Sequence, residues 1–188
     1  MKLVLATRNP HKVRELAALM APHEIEPLPD DVELPPETGE TFADNALIKA
    51  RAAAAATGAP AIADDSGIEA AALRGRPGVR SARYAGEDAT DEENLDKLLR
   101  EAPAGSPVAY VCALAYVAPD GTEHLVEGRC TGTLAAEPRG TEGFGYDPAF
   151  VPDEHPGRTM AELEPDEKAA VSHRGRAARA LVELLARR

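Results

Sequence analysis

Residues 41–67 read TFADNALIKARAAAAATGAPAIADDSG, and the fold class follows from how this stretch is parsed. Thr41 with Asp44 resembles a capping box, the segment to Thr57 is rich in alanine, and Gly58 can close it, so a capped helix is expected. The short apolar run Ala61-Ile62-Ala63 then reads as a buried strand, and Asp64-Asp65-Ser66-Gly67 stands where that strand meets solvent. A helix leading into a buried strand is a unit of α/β architecture.

The same alternation extends both ways. Lys2 to Ala6 is strand-like, Val13, Leu16 and Met20 recur at helical spacing, and Thr7 to His11 joins the two as a strand-to-helix loop. Ile25 to Leu28 suggests another strand, followed by an irregular connection set by Pro27, Pro29, Pro35, Pro36 and Gly39. Thr90 with Glu93 starts a further helix through Leu98 and Leu99, and Glu87 to Glu93 reads as a solvated face. Ala109 to Val117 and Glu123 to Leu134 flank Pro119-Asp120-Gly121-Thr122 as a long hairpin. From about Ser172, a natural cap, Ala178, Leu181 and Leu185 share one helical face. Alternating strands and helices plus a long hairpin predict an α/β protein with a mixed sheet, in one domain over residues 1–188.

Composition narrows the function classes. A formal charge of −11 argues against the large basic surface that DNA or RNA requires, yet a few cations focused in a cleft can still hold a small anion. No apolar run approaches bilayer length, and Met1 to Thr7 lacks the features of a secretory signal, so neither a membrane nor export is expected and the cytoplasm is the expected location. If the hairpin pairs about its turn, Cys112 falls opposite Arg129, which puts Cys112 and Cys130 on opposite faces of the ribbon. Free thiols in a reducing compartment follow.

Six segments carry chemistry. Asp64-Asp65-Ser66-Gly67 offers oxygen ligands for a hydrated divalent cation, although an acidic pair after a strand is also ordinary turn chemistry. Adjacent carboxylates on an extended chain point to opposite sides, so Asp64 and Asp65 are expected to divide roles. Thr7-Arg8-Asn9-Pro10-His11-Lys12 supplies a hydroxyl, an amide, cations and a helix start suited to phosphate oxygens, without the glycines of a P-loop. Asn45 and Lys49 are four apart on the capped helix and face the same way.

Gly143-Phe144-Gly145-Tyr146-Asp147-Pro148 places two aromatics about a glycine in a chain that is only 4% aromatic, a loop able to stack a base if Phe144 is not simply a core anchor. Lys168 precedes Ser172-His173-Arg174 at a helix start, where donors from His173 and Arg174 would favour a purine carrying an oxygen at its sixth position. Between these, Gly75 to Gly86 gathers arginines among turn formers, with Arg83 available to a phosphate or a partner subunit.

In this order the motifs Thr7-x-Asn9-x-x-Lys12-x-x-Glu15, Phe42-x-x-Asn45-Ala46-x-x-Lys49-Ala50, Asp64-Asp65-Ser66-Gly67, Pro77-Gly78 with Ser81-Ala82-Arg83-Tyr84, Gly143 to Pro148, and Lys168 with Ser172-His173-Arg174 span nearly the whole chain. The ordered set closely resembles the Ham1/RdgB family of inosine triphosphate pyrophosphatases. The resemblance implies an elongated, two-lobed α/β subunit with a long central mixed sheet flanked by helices, a cleft between the lobes, and a homodimer. It also implies hydrolysis of ITP, dITP or XTP to the nucleoside monophosphate and pyrophosphate with Mg²⁺ present.

By carry-over, Thr7, Arg8, Asn9, Pro10, His11 and Lys12 hold phosphates, Asn45, Lys49 and Ser66 face substrate, and Asp65 is base and metal-linked carboxylate. Phe144, Gly145, Tyr146, Asp147, Lys168, His173 and Arg174 form the nucleotide pocket. Where similar proteins carry a metal-binding glutamate three residues before the glycine corresponding to Gly39, this chain has Pro36, and Glu37 is the nearest substitute as second metal ligand. The rival readings are a Maf-like pyrophosphatase of pyrimidine or modified nucleotides, and a nucleotide sensor without catalysis.

Overall fold

Asn9 and Thr41 show how local chemistry starts the helices. In the computed structural model, which describes residues 1–187, strand β1 (Lys2–Leu5) leads into helix α1 (Pro10–Leu19), where the Asn9 side chain accepts from the amides of His11 and Lys12 and Pro10 occupies the first turn. Strand β2 (Glu24–Pro27) follows, then an irregular connection to helix α2 (Phe42–Thr57). Thr41 accepts from the Asp44 amide at its start, and Gly58 closes it in the left-handed conformation. The Asp44 carboxylate accepts the Thr41 hydroxyl at 2.7 Å rather than reaching back to the cap amide, so the expected capping box is one-sided.

Strand β3 runs Ala61–Ala70, longer than the apolar run suggests. Asp64-Asp65-Ser66-Gly67 therefore lies inside the strand instead of at its solvent end, because partners on either side hold both carboxylates in extended backbone. Helix α3 (Asp91–Glu101) begins with the complete Thr90/Glu93 capping box. Strands β4 (Pro107–Val117) and β5 (Glu123–Leu134) are joined by a turn in which the Ala118 amide donates to the Thr122 carbonyl at 2.9 Å.

After β6 (Phe150–Pro152) comes a short helix α4 (Pro165–Val171), absent from the sequence reading although Pro165 and the Glu164/Glu167 box mark its start. Helix α5 (His173–Ala186) then begins one residue after the extended Ser172. The six strands order as β2-β1-β3-β4-β5-β6, with β1 parallel to β2 and to β3 and β5 antiparallel to β6: a mixed sheet, as expected.

The chain divides into two compact units. The first comprises Met1–Asp65, Cys112–Gly128 and the chain from Arg174, and its core gathers Leu3, Leu5, Leu16, Ile62, Leu114, Tyr116, Leu181 and Leu185. The second comprises Ser66–Val111 and Arg129–His173, with a core of Ile68, Leu98, Tyr110, Leu134, Phe150, Met160 and Leu163. Cys112 belongs to the first core and Cys130 to the second, and both are buried free thiols.

Candidate active site

Extended backbone through Asp64 and Asp65 sends their side chains to opposite faces of β3, and each face has its own partners. Asp64 is fully buried, and its Oδ2 receives Lys12 Nζ at 3.0 Å, Arg174 Nη2 at 3.1 Å and Arg174 Nε at 3.3 Å. Arg174, itself 2% exposed, also donates from Nη1 to Glu15 at 2.5 Å. Burial alone would push the Asp64 carboxyl up, but Lys12, Arg174 and Lys49 reverse this and hold it far below the usual carboxylate range. Asp64 is a fixed anion that anchors two cations.

Asp65 is set differently. Its Oδ2 accepts Asn45 Nδ2 at 3.0 Å, and Oδ1 lies 3.8 Å from Lys49 Nζ. Asn45 and Lys49, one helical turn apart on α2, thus meet the same carboxylate, as their spacing predicts. Burial raises the Asp65 carboxyl and Glu37 adds to it, outweighing Lys49, Lys12 and the Asn45 hydrogen bond. Two adjacent carboxyls whose environments drive their proton affinities apart are suited to different tasks, a fixed counter-charge and a proton acceptor.

Lys49 ties the connection before α2 to this carboxylate. Its Nζ donates to Glu37 Oε1 at 2.6 Å and to the Asp64 carbonyl at 2.8 Å. Burial pulls the ammonium down, but Asp64, Asp65 and Glu37 more than reverse this and keep it charged. Asn45 Oδ1 meanwhile accepts the Gly39 amide at 2.8 Å. A Cβ on Gly39 would lie 2.5 Å from Asp44 Cβ and 2.7 Å from Asn45 Oδ1, so only glycine lets the connection come this close to α2.

The first loop is more structural than the sequence suggests. Thr7 Oγ1 accepts the Asn9 amide at 3.2 Å, Pro10 opens α1, and Arg14 donates to His11 Nδ1 at 2.9 Å. The Arg8 guanidinium donates to the carbonyls of Leu28, Pro29 and Val32 at 2.7–2.8 Å, pinning the connection after β2. Lys12 presents its ammonium beside Asp64, and the first turn of α1 contains no acidic residue to oppose an anion at the helix start.

The second unit gathers the other predicted residues. Asp147, 3% exposed, accepts Tyr110 Oη at 3.0 Å on Oδ1, and the Phe144 amide at 3.0 Å and Lys168 Nζ at 2.8 Å on Oδ2. Lys168 lies over the half-buried Phe144 ring, 5.3 Å from its centroid. His173 is buried and stacks on Tyr110, with centroids 4.5 Å apart and planes at 14°. The Gly145 amide donates to Asp91 at 2.9 Å, and half-buried Ser66 opens this unit on β3.

Two of the predicted residues also make structural contacts. Tyr146 is buried and donates its hydroxyl to the Ser81 carbonyl at 2.6 Å, so it anchors the loop and leaves Phe144 as the aromatic face. Arg174, next to His173 in sequence, reaches Asp64 and Glu15 in the first unit. Sequence reasoning missed Tyr110, which sits in an apolar strand run; a hydroxyl within such a run was the available signal.

Among the described residues no group of three or more His, Cys, Asp or Glu side chains is arranged to hold a metal ion, and no helix is long and apolar enough to cross a membrane. Glu37 and Asp65 both face the Lys49 ammonium, at 2.6 and 3.8 Å.

The profile of the Ham1 family matches residues 3–184. The chain is 49% identical to a Streptomyces coelicolor protein named dITP/XTP pyrophosphatase, over 98% of this chain and 96% of that one. It is 48% identical to a protein of the same name from Escherichia coli O157:H7, over 98% of both. The solved structure of a HAM1 protein from Coxiella burnetii superposes with a TM-score of 0.89 at 41% identity, covering all of both chains.

Proposed function

The chain belongs to the Ham1 family, and from that premise we propose that it hydrolyses non-standard purine nucleoside triphosphates (ITP, dITP and XTP) to the nucleoside monophosphate and pyrophosphate. The observation that carries the reading is the division of labour between Asp64 and Asp65. Asp65, with its carboxyl raised by burial and oriented by Asn45, takes the proton from a water attacking phosphorus. Asp64 holds Lys12 in place to neutralise charge that develops on the phosphates.

Asp65 and Glu37 would hold Mg²⁺ together with substrate phosphates; when bound, the ion supplies charge neutralisation and a Lewis-acidic contact to phosphate oxygens. Glu37 is the nearest substitute for the carboxylate that Pro36 does not supply, and its reach to the same ammonium as Asp65 supports that choice. In the second unit, Phe144 offers a face for stacking the base, while Lys168 and His173 supply polar contacts for an oxopurine. A homodimer in the cytoplasm completes the proposal, in keeping with the acidic surface and the free thiols.

The test is turnover of ITP, XTP, dITP, GTP, ATP and UTP with and without Mg²⁺, with products separated by anion exchange. Magnesium-dependent IMP and pyrophosphate, with ATP and GTP little touched, is the expected result. Preference for UTP would transfer the chain to Maf-like chemistry, and tight ITP binding without turnover would make it a sensor.

A further inference from the structure

We propose that Tyr110 is a positioning residue that sets base selectivity, through a hydroxyl that fixes Asp147 and a ring that fixes the plane of His173. The inference rests on the assignment of Phe144, Lys168 and His173 to the base. Tyr110 lies on β4 and is 5% exposed. Phe150 stacks on it with centroids 4.5 Å apart and planes at 23°, and His173 stacks on it at 4.5 Å and 14°. The ring is clamped in a near-parallel stack, and its Oη donates to Asp147 Oδ1 at 3.0 Å.

Each contact fixes a different recognition element. Asp147 closes the 143–147 loop on itself by accepting the Phe144 amide, and it holds the Lys168 ammonium over the Phe144 ring. With Oδ1 engaged by Tyr110, the carboxylate cannot rotate, so Oδ2 stays aimed at both donors. The space is tight: a Cβ on Gly143, whose φ is +76°, would lie 2.1 Å from Asp147 Oδ2 and 3.0 Å from Lys168 Nζ. A small rotation of Asp147 would therefore move the loop, the lysine and the aromatic face together.

His173 donates in the plane of its ring, so a ring laid at 14° on a clamped tyrosine has the plane of its hydrogen bonds set by β4. Selectivity for an oxo over an amino substituent depends on such directions, because the wrong base leaves buried polar groups unpaired. Tyr110 need not touch the nucleotide to govern the choice.

The experiment compares wild type, Tyr110→Phe and Tyr110→Leu in kcat/KM for ITP and for GTP, with equilibrium binding of IMP and GMP and thermal unfolding of each variant. Tyr110→Phe keeps the stack and loses the donor to Asp147. The expected result is a fall of about tenfold in the ITP-over-GTP ratio, carried by KM and matched in IMP-over-GMP binding, with kcat on ITP within about twofold of wild type. Tyr110→Leu removes both contacts and should lower the ratio further. Should both variants unfold at lower temperature while keeping the wild-type ratio, Tyr110 would be core packing only and the inference overturned. A wild-type protein that does not prefer ITP to GTP would instead remove the base-pocket reading and the inference with it.

Discussion

Replacing Asp64 by asparagine isolates the buried ion cluster of the first unit. The substitution keeps the shape and one acceptor but removes the charge that faces Lys12 and Arg174. Breaking one partner of a buried pair costs about 3–5 kcal/mol, since the opposite charge stays buried and uncompensated. Here Arg174 retains Glu15 at 2.5 Å, and the Lys12 side chain is 15% exposed and can turn to water, so the low end, about 3 kcal/mol at pH 7, is expected. For a chain of this length that lowers the melting temperature by roughly 6–12 °C.

The pH dependence has a definite sign. The folded Asp64 carboxyl is held far below its unfolded value, so its contribution is complete above the unfolded pKa, about 4, and is lost as pH falls below it. The gap between wild type and Asp64→Asn should thus be constant from about pH 5 to 8 and narrow by about 1.4 kcal/mol per pH unit below about 4. Urea unfolding followed by far-ultraviolet circular dichroism at pH 7 and pH 3 measures this in a chain without tryptophan. Equal stability at pH 7, or a gap unchanged at pH 3, would refute the assignment of Asp64 as the fixed counter-ion.

Further outcomes follow from other contacts. Gly39→Ala should push the 37–39 connection off α2 and lower turnover of ITP at least tenfold with a higher Mg²⁺ requirement, measured by pyrophosphate release against Mg²⁺ concentration; unchanged kinetics would mean that this connection does not serve the site. Thr90→Ala removes a complete cap far in sequence from the catalytic residues and should cost about 1 kcal/mol in unfolding experiments while leaving turnover unaltered. Cys112, fully buried, has its thiol pushed up to about 12, first by burial and then by Asp64; native protein should show no thiol reacting with a disulfide reagent at pH 8, and both should react in urea.

Local rules carried much of this structure. Thr41, Thr90 and Gly58 announced their helix ends, the four-residue spacing of Asn45 and Lys49 put both on Asp65, and the two-residue period of a strand separated Asp64 from Asp65. What escaped were long-range partnerships. Arg174 meets Asp64 across 110 residues and Glu15 across 159, so nothing beside the motif shows where its guanidinium lies. Tyr110 looks like one more strand residue until β4 is set beside the loop containing Asp147, 37 residues away. Arg8 donates to carbonyls of a connection without regular structure, whose path the sequence does not specify.

Whether Asp65 accepts the proton is decided by ITP turnover of Asp65→Asn alongside Asp64→Asn at a temperature where both are folded. Asp65→Asn should keep a melting temperature near wild type and lose about 10²–10⁴-fold in kcat, while Asp64→Asn loses stability and a smaller share of activity. An Asp65→Asn protein of full activity would contradict that role.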